Sequence, residues 1–176
     1  MSNEPPIFPA GEYQAPGYYD DQTRSDLIAK ISAMPARMRA MVKGMTDEQL
    51  DTKYRNWTIR QIVHHVADSH MNCYIRFKWA LTEESPLIKA YDESLWSEVV
   101  DAVSAPVESS LLILAGLHAR WAGLLEKLAD EQMEKSYFHP QQMQIVKLSE
   151  ALPSYVWHAD HHLAQIAWLR EQHGWD

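Results

Sequence analysis

Residues 155–168 read Tyr155-Val-Trp-His158-Ala-Asp-His161-His162-Leu-Ala-Gln-Ile-Ala-Trp168. On a helical wheel of about 100° per residue, Leu152, Tyr155, Val156, Leu163 and Ile166 share one face. His162 falls inside that arc, and His158 lies at its edge one turn earlier. His161 points away, beside Trp157 and Trp168. Two imidazoles four residues apart on one helix can give two ligands to a single metal ion. A lone histidine in that arc is better read as a hydrogen-bonded core residue. The i, i+4 pair weighs more because of a second cluster, His64-His65-Val66-Ala67-Asp68-Ser69-His70. These two stretches hold six of the nine histidines in the chain.

The rest of the pattern is helical. Leu27, Ile31, Met34, Met38, Met41 and Met45 make an apolar stripe at spacings of four and three, predicting a first helix over 25–45. Such methionine stripes are core more often than binding surface, and Pro35 is expected to kink the helix. Thr58-Ile-Arg-Gln61 is a capping-box pattern that opens a second helix to about Leu81. A connector with a short helix near 93–100 follows. Leu111, Leu114, Leu117, Trp121, Leu124 and Leu128 predict a third long helix over 107–128. Tyr137-Phe-His-Pro140 and Gln144-Ile-Val146 suggest a short hairpin within 137–148. The last long helix begins between Ser149 and Pro153 and stops before Gly174. Asp47-Glu-Gln-Leu50 with Tyr54, and Asp130-Glu-Gln-Met133 with Tyr137, each follow one long helix and precede a histidine-bearing one. That order favours two related helical hairpins. The expected architecture is all-α: a four-helix bundle with a short β-hairpin between the third and fourth long helices. Residues 1–19, rich in proline and tyrosine, read as an extended arm on a single helical domain spanning 20–176.

Composition excludes several function classes. The net charge of −8 opposes nucleic-acid and anionic-membrane partners. Six glycines without a glycine-rich loop argue against a phosphate cradle. No apolar run or N-terminal pattern suggests a membrane span or signal. The single cysteine, Cys73, suits the cytoplasm. A small-molecule substrate is the expected partner. The outward Trp157 and Trp168 suggest a homodimer interface.

On the second helix the wheel leaves two candidates for a third ligand. His65 sits at the edge of the apolar face, on the side of Ser69, Asn72 and Arg76. His70 lies within the apolar arc, where a core histidine bonded to a backbone carbonyl is the stronger reading. His64 points away. His118 interrupts the third helix's stripe, as a pocket wall or a core residue. His139 and His173 read as surface or loop positions.

The chain resembles the DinB-like family, and within it the YfiT-type metal-dependent hydrolases. The resemblance rests on Gly11-Glu-Tyr13, Leu50-Asp-Thr52, Tyr54-Arg55, Trp57 to Asn72 without a break, Tyr74 to Lys78, Leu81 to Glu84, Tyr91-Asp-Glu93, Tyr137 to Pro140 and Tyr155 to His158. It implies a four-helix bundle, often dimeric. It also implies one divalent metal per subunit held by three histidines, zinc in the usual assignment, with nickel also considered. Carried over by motif, the ligands are His65, His158 and His162. Ser69, Asn72, Arg76 and His118 are the expected pocket-lining residues.

Three neutral histidines leave a zinc ion its full charge and an open position, enough to bring a bound water's pKa near ~7. That suits hydrolysis. No His-Glu-x-x-His pattern supplies a base, and Asp68 and Asp160 face away from the site edge. A thiol S-transferase, resembling other DinB-like proteins, needs no such base and is the alternative; there Asn72 and Arg76 would grip carboxylates of the thiol. Against that role, Arg76 reads somewhat better as a surface residue paired with Glu83 or Glu84. A non-catalytic metal-binding bundle is the third reading, marked by a fourth protein ligand.

Overall fold

The computed structural model describes residues 4–16 and 19–175. Met1, Ser2, Asn3, Gly17, Tyr18 and Asp176 lie outside the described residues, and with them part of the arm assigned to 1–19. Four long helices make the body: α1 (Asp21–Val42), α3 (Ile59–Thr82), α6 (Val107–Leu125) and α8 (Leu148–His173). α1 starts four residues earlier than the predicted start at residue 25, because Asp20 accepts from the Thr23 amide at 2.7 Å and caps it. The capping box ahead of α3 is complete: the Gln61 amide donates to Thr58 Oγ1, and the Thr58 amide to Gln61 Oε1.

Between the long helices the chain runs twice through the same sequence of devices. After α1 come a one-turn helix α2 (Asp47–Leu50) and the hairpin β1 (Lys53–Tyr54) with β2 (Trp57–Thr58). After α6 come α7 (Asp130–Met133) and the hairpin β3 (Ser136–His139) with β4 (Gln144–Lys147). In both, the glutamine side chain of the Asp-Glu-Gln string accepts from the backbone N–H just ahead of the short helix, of Thr46 or of Ala129, at 2.9 Å. In both, the tyrosine that follows is buried. The first hairpin carries no glycine and has two-residue strands, which is why period and turn signals miss it; Arg55 supplies the positive φ of its turn.

α4 (Glu93–Ser97) and α5 (Val100–Ser104) lie in the connector between α3 and α6. The connector is held to β3 by two backbone bonds, Ile88 N–H to Phe138 and Phe138 N–H to Pro86. In the bundle, α1 and α3 each pack against both α6 and α8, so helices within one repeat lie diagonally and those of opposite repeats are neighbours. This brings α3 beside α8, the two helices that carry the histidine clusters.

The core divides into two apolar clusters stacked along the bundle. One holds Leu27, Ile31, Phe77, Trp121, Leu125 and Leu152. The other holds Met34, Met38, Ile59, Val66, Leu114 and Leu163, which makes the methionine stripe of α1 core. On α3, α6 and α8 the boundary between clusters falls at His70, His118 and His158. No described helix is long and apolar enough to cross a membrane.

The described arm lies on the body: Tyr54 Oη donates to the Pro6 carbonyl, Arg55 to Pro5, and Trp157 Nε1 to Gly11 at 3.0 Å. Phe8 and Tyr13 cover the Trp157 ring, and Trp168 meets Tyr54 edge-on. Both tryptophans read from sequence as an interface are half-buried, each packed against other residues of the chain.

Capping fixes where α3 begins and so the phase of His65. Thr58→Ala should cost about 1 kcal/mol in urea denaturation without changing the cooperativity of the transition. A change below a few tenths would show that the cap contributes nothing.

Candidate metal centre

His65 projects from α3, and His158 and His162 from successive turns of α8. Their ligand-capable nitrogens all lie within 4.8 Å of one another. His158 Nε2 is 3.1 Å from His65 Nε2 and 3.2 Å from His162 Nε2. Among the described residues, the group has no fourth histidine, cysteine or carboxylate. Tetrahedral coordination at Zn–N distances of about 2.0–2.1 Å spaces ligand nitrogens by roughly 3.3 Å, close to the spacing present.

The hydrogen bonds around the rings sharpen the fit. His162 Nδ1 donates to Gln165 Oε1 at 2.8 Å, which leaves a lone pair on Nε2. His118 Nδ1 lies 2.6 Å from the Ile31 carbonyl, a group that can only accept, so His118 Nε2 is an acceptor. His70 Nδ1 therefore donates to it at 2.9 Å, and His70 Nε2 accepts from His158 Nδ1 at 3.4 Å. His158 Nε2 is then also a bare lone pair. Two lone pairs facing each other at 3.2 Å repel unless a cation sits between them, so the donor set fits a divalent metal.

Burial holds His65, His158 and His162 well below the usual histidine range, and the neighbouring imidazoles push the same way. All three are thus neutral near pH 7, as ligands must be. Trp57 packs over the group, its ring centroid 4.5 Å from that of His65 and nearly parallel to that of His162 at 6.2 Å.

The three histidines line a cavity of about 620 Å³. Ser69 and Arg76 of the expected pocket residues are on its wall. Asn72 is not: its side chain turns back to the Asp68 carbonyl at 2.9 Å. His118 is fully buried away from the cavity, behind His70. His70 is bonded to two imidazoles and not to a carbonyl, the role of core histidine on a carbonyl falling to His118. His64, off the site, bonds Ser110 Oγ and the Ala105 carbonyl.

Arg76 departs from its expected surface pairing. It is only 6% exposed, donates to Tyr155 Oη at 3.2 Å, and among the described residues pairs with neither Glu83 nor Glu84. The wheel misplaces it because the polar strip of α3 is roofed by the connector and by the β3–β4 hairpin. The same roof brings in residues the sequence did not single out: Tyr91 and Glu93 from the connector, and His139, Gln141 and Gln142 from the hairpin. His139, expected at the surface, is buried on the wall, with Nδ1 accepting from the Gln142 amide at 3.4 Å. His161 also reaches the rim, stacked on Trp157, and accepts on Nε2 from Gln165 Nε2 at 2.9 Å. Asp160 faces away, paired with Lys30 and Arg37. Asp68 is likewise off the cavity wall.

Comparison with known proteins agrees with this architecture. The chain is 46% identical over 170 residues to the Bacillus subtilis (strain 168) protein named "Putative metal-dependent hydrolase YfiT", covering 96% of each. It is 43% identical over 178 residues to a protein of the same description from Geobacillus thermodenitrificans (strain NG80-2), covering 99% of this chain and 100% of the relative. The solved structure of Bacillus subtilis YfiT, described as having an unusual four-helix bundle topology, superposes with a TM-score of 0.93 over 96% of this chain and 98% of that one. The sequence model of the DinB superfamily matches residues 30–166, and the chain belongs to that superfamily.

Proposed function

We propose that this protein is a metal-dependent hydrolase of small molecules, with one zinc-like divalent ion held by His65, His158 and His162. The observation that carries it is a three-imidazole donor set, neutral and, among the described residues, without a fourth protein ligand, opening onto a cavity. Hydrolases among the similar proteins' descriptions support the same class. A bound ion there would acidify water and polarise a scissile carbonyl. The chain does the rest. Trp57 shields one side of the histidines from solvent. Gln165 holds His162 in the ligating tautomer. His139, kept neutral by burial, places its proton on Nε2 because Nδ1 accepts from Gln142. Arg76 offers a guanidinium to an anionic portion of the substrate.

Arg76 also favours a second reading, transfer of a small anionic thiol to an electrophile. Among the described residues Arg76 has no ion-pair partner, and an anionic ligand would supply one. Among the described residues no carboxylate joins the three histidines as a ligand, though Glu93 of the connector lines the same cavity; a thiolate needs no base. The open donor set disfavours the third reading, a purely structural metal site.

Three measurements test these assignments. His162→Ala should abolish stoichiometric metal binding in the purified protein, whereas His161→Ala should retain it; equal loss in both would sink the ligand set. With metal bound, a panel of esters and amides should turn over without added thiol, the rate rising through an ionisation near neutrality. Turnover seen only with a low-molecular-weight thiol and an electrophile would reject hydrolysis and leave the transferase. Asp68, raised to about 6 by burial and by Asp101, gives the third. Its folded pKa lies above its unfolded one, so the charged form opposes folding and stability is lost as pH rises through about 6. Asp68→Asn should therefore stabilise the protein at pH 7.5 by about 1 kcal/mol, discounting for half exposure. The gain should be smaller at pH 5, with metal content unchanged. Loss of metal in this variant would make Asp68 part of the site.

A further inference from the structure

We infer that His70 and His118 are positioning residues of the metal centre, forming a hydrogen-bonded relay that fixes the tautomer of His158 from a backbone carbonyl of α1. The inference rests on the metal reading given above.

Ile31 is four residues before Pro35, which lies inside α1. In a helix the carbonyl of residue 31 would accept from the amide of residue 35, and proline has no N–H to give. The freed Ile31 carbonyl is the acceptor that His118 Nδ1 meets at 2.6 Å. Being acceptor-only, it imposes one direction on every later bond. His118 is Nδ1–H, so His70 must be Nδ1–H to donate at 2.9 Å, and His158 must be Nδ1–H to donate at 3.4 Å. The lone pair of His158 Nε2 is then turned to His65 and His162.

Placement and burial support this direction. His70 and His118 are both 0% exposed, and each lies at the boundary between the two apolar clusters. No water reaches them to satisfy a reversed arrangement. Reversing the relay would point two donors at each other or leave a buried group unpaired, at about 1–3 kcal/mol. Burial also keeps both imidazoles below the usual histidine range, so the relay carries tautomers and not charges. Each of the four long helices contributes one member: Ile31 from α1, His70 from α3, His118 from α6 and His158 from α8.

Two readouts test the relay. In metal-free, nitrogen-15-labelled wild type at pH 7.5, long-range proton–nitrogen spectra should show the Nδ1–H tautomer for His118, His70 and His158. In chelator competition with zinc, His118→Leu should weaken affinity about 10- to 100-fold. His118→Gln should stay within about threefold of wild type, because an amide can donate to the Ile31 carbonyl and accept from His70. An Nε2–H tautomer at His70 or His118 in the wild type, or wild-type affinity in His118→Leu, overturns the relay. If His118→Leu fails to fold, the wild-type tautomers and His118→Gln decide. If the wild type binds no zinc, the metal reading fails and the relay loses its role at the site; the metal-free spectrum separates that failure from a relay that never forms.

Discussion

The bundle depends on one polar layer. Two apolar clusters would merge into a continuous core were it not for the three imidazoles placed between them on α3, α6 and α8. A buried imidazole has one donor and one acceptor and needs both paired. The layer achieves this for His70 and His118, and leaves only His158 Nε2 to the metal site, if the four helices keep their axial register, because each bond joins a different pair of elements. A shift of α6 by one turn, about 5.4 Å, would carry His118 away from the Ile31 carbonyl and His70 and into one of the apolar clusters. The same layer that costs apolar contact therefore specifies which turn of each helix meets which.

Pro35 belongs to this arrangement. In a helix interior proline is expected to cost about 3 kcal/mol and to distort the axis. Here its missing N–H has a use, since the carbonyl it leaves free is taken by His118. The groups behind the ligands are imidazole and amide, not carboxylate: His70 behind His158 and Gln165 behind His162. A carboxylate in that place would make the ligand more basic and offset part of the ion's charge. Neutral partners orient the rings without doing so, which would leave the full charge of a bound ion available for chemistry.

The sequence showed the parts of this that follow from period and local chemistry. The stripes of α1, α3, α6 and α8, the Thr58 cap and the i, i+4 pair His158 and His162 are each local, and each is present. The choice of His65 over His70 was not resolvable on one wheel, because both lie near the same arc. What separates them is the neighbour: His65 Nε2 meets the Nε2 side of His158, whereas His70 lies behind it, between His158 Nδ1 and His118. The misplaced residues share a cause. Arg76 and His139 look solvent-facing on their own elements, and both are buried by a roof built from chain that is distant in sequence. Asn72 looked like part of the wall because it shares a strip with Arg76, but its side chain is short enough to turn back on its own helix.

The internal repeat explains where the centre lies. α3 and α8 are equivalent helices of the two halves, each entered through a hairpin, and the diagonal packing makes them neighbours. Ser69 and His158 occupy equivalent places relative to their caps, Thr58 and Lys147, and both line the cavity. Exact equivalence would give a symmetric pocket with matched ligands. The halves differ instead: α8 carries two imidazoles, while α3 carries one followed by a small hydroxyl and then Arg76. The cavity thus combines a neutral donor set able to hold a cation with the Arg76 guanidinium and the Glu93 carboxylate. On the proposed function, a substrate that reaches both would carry a Lewis-basic or scissile group for the ion and an anionic group for Arg76. That arrangement is set by side chains and not by the backbone.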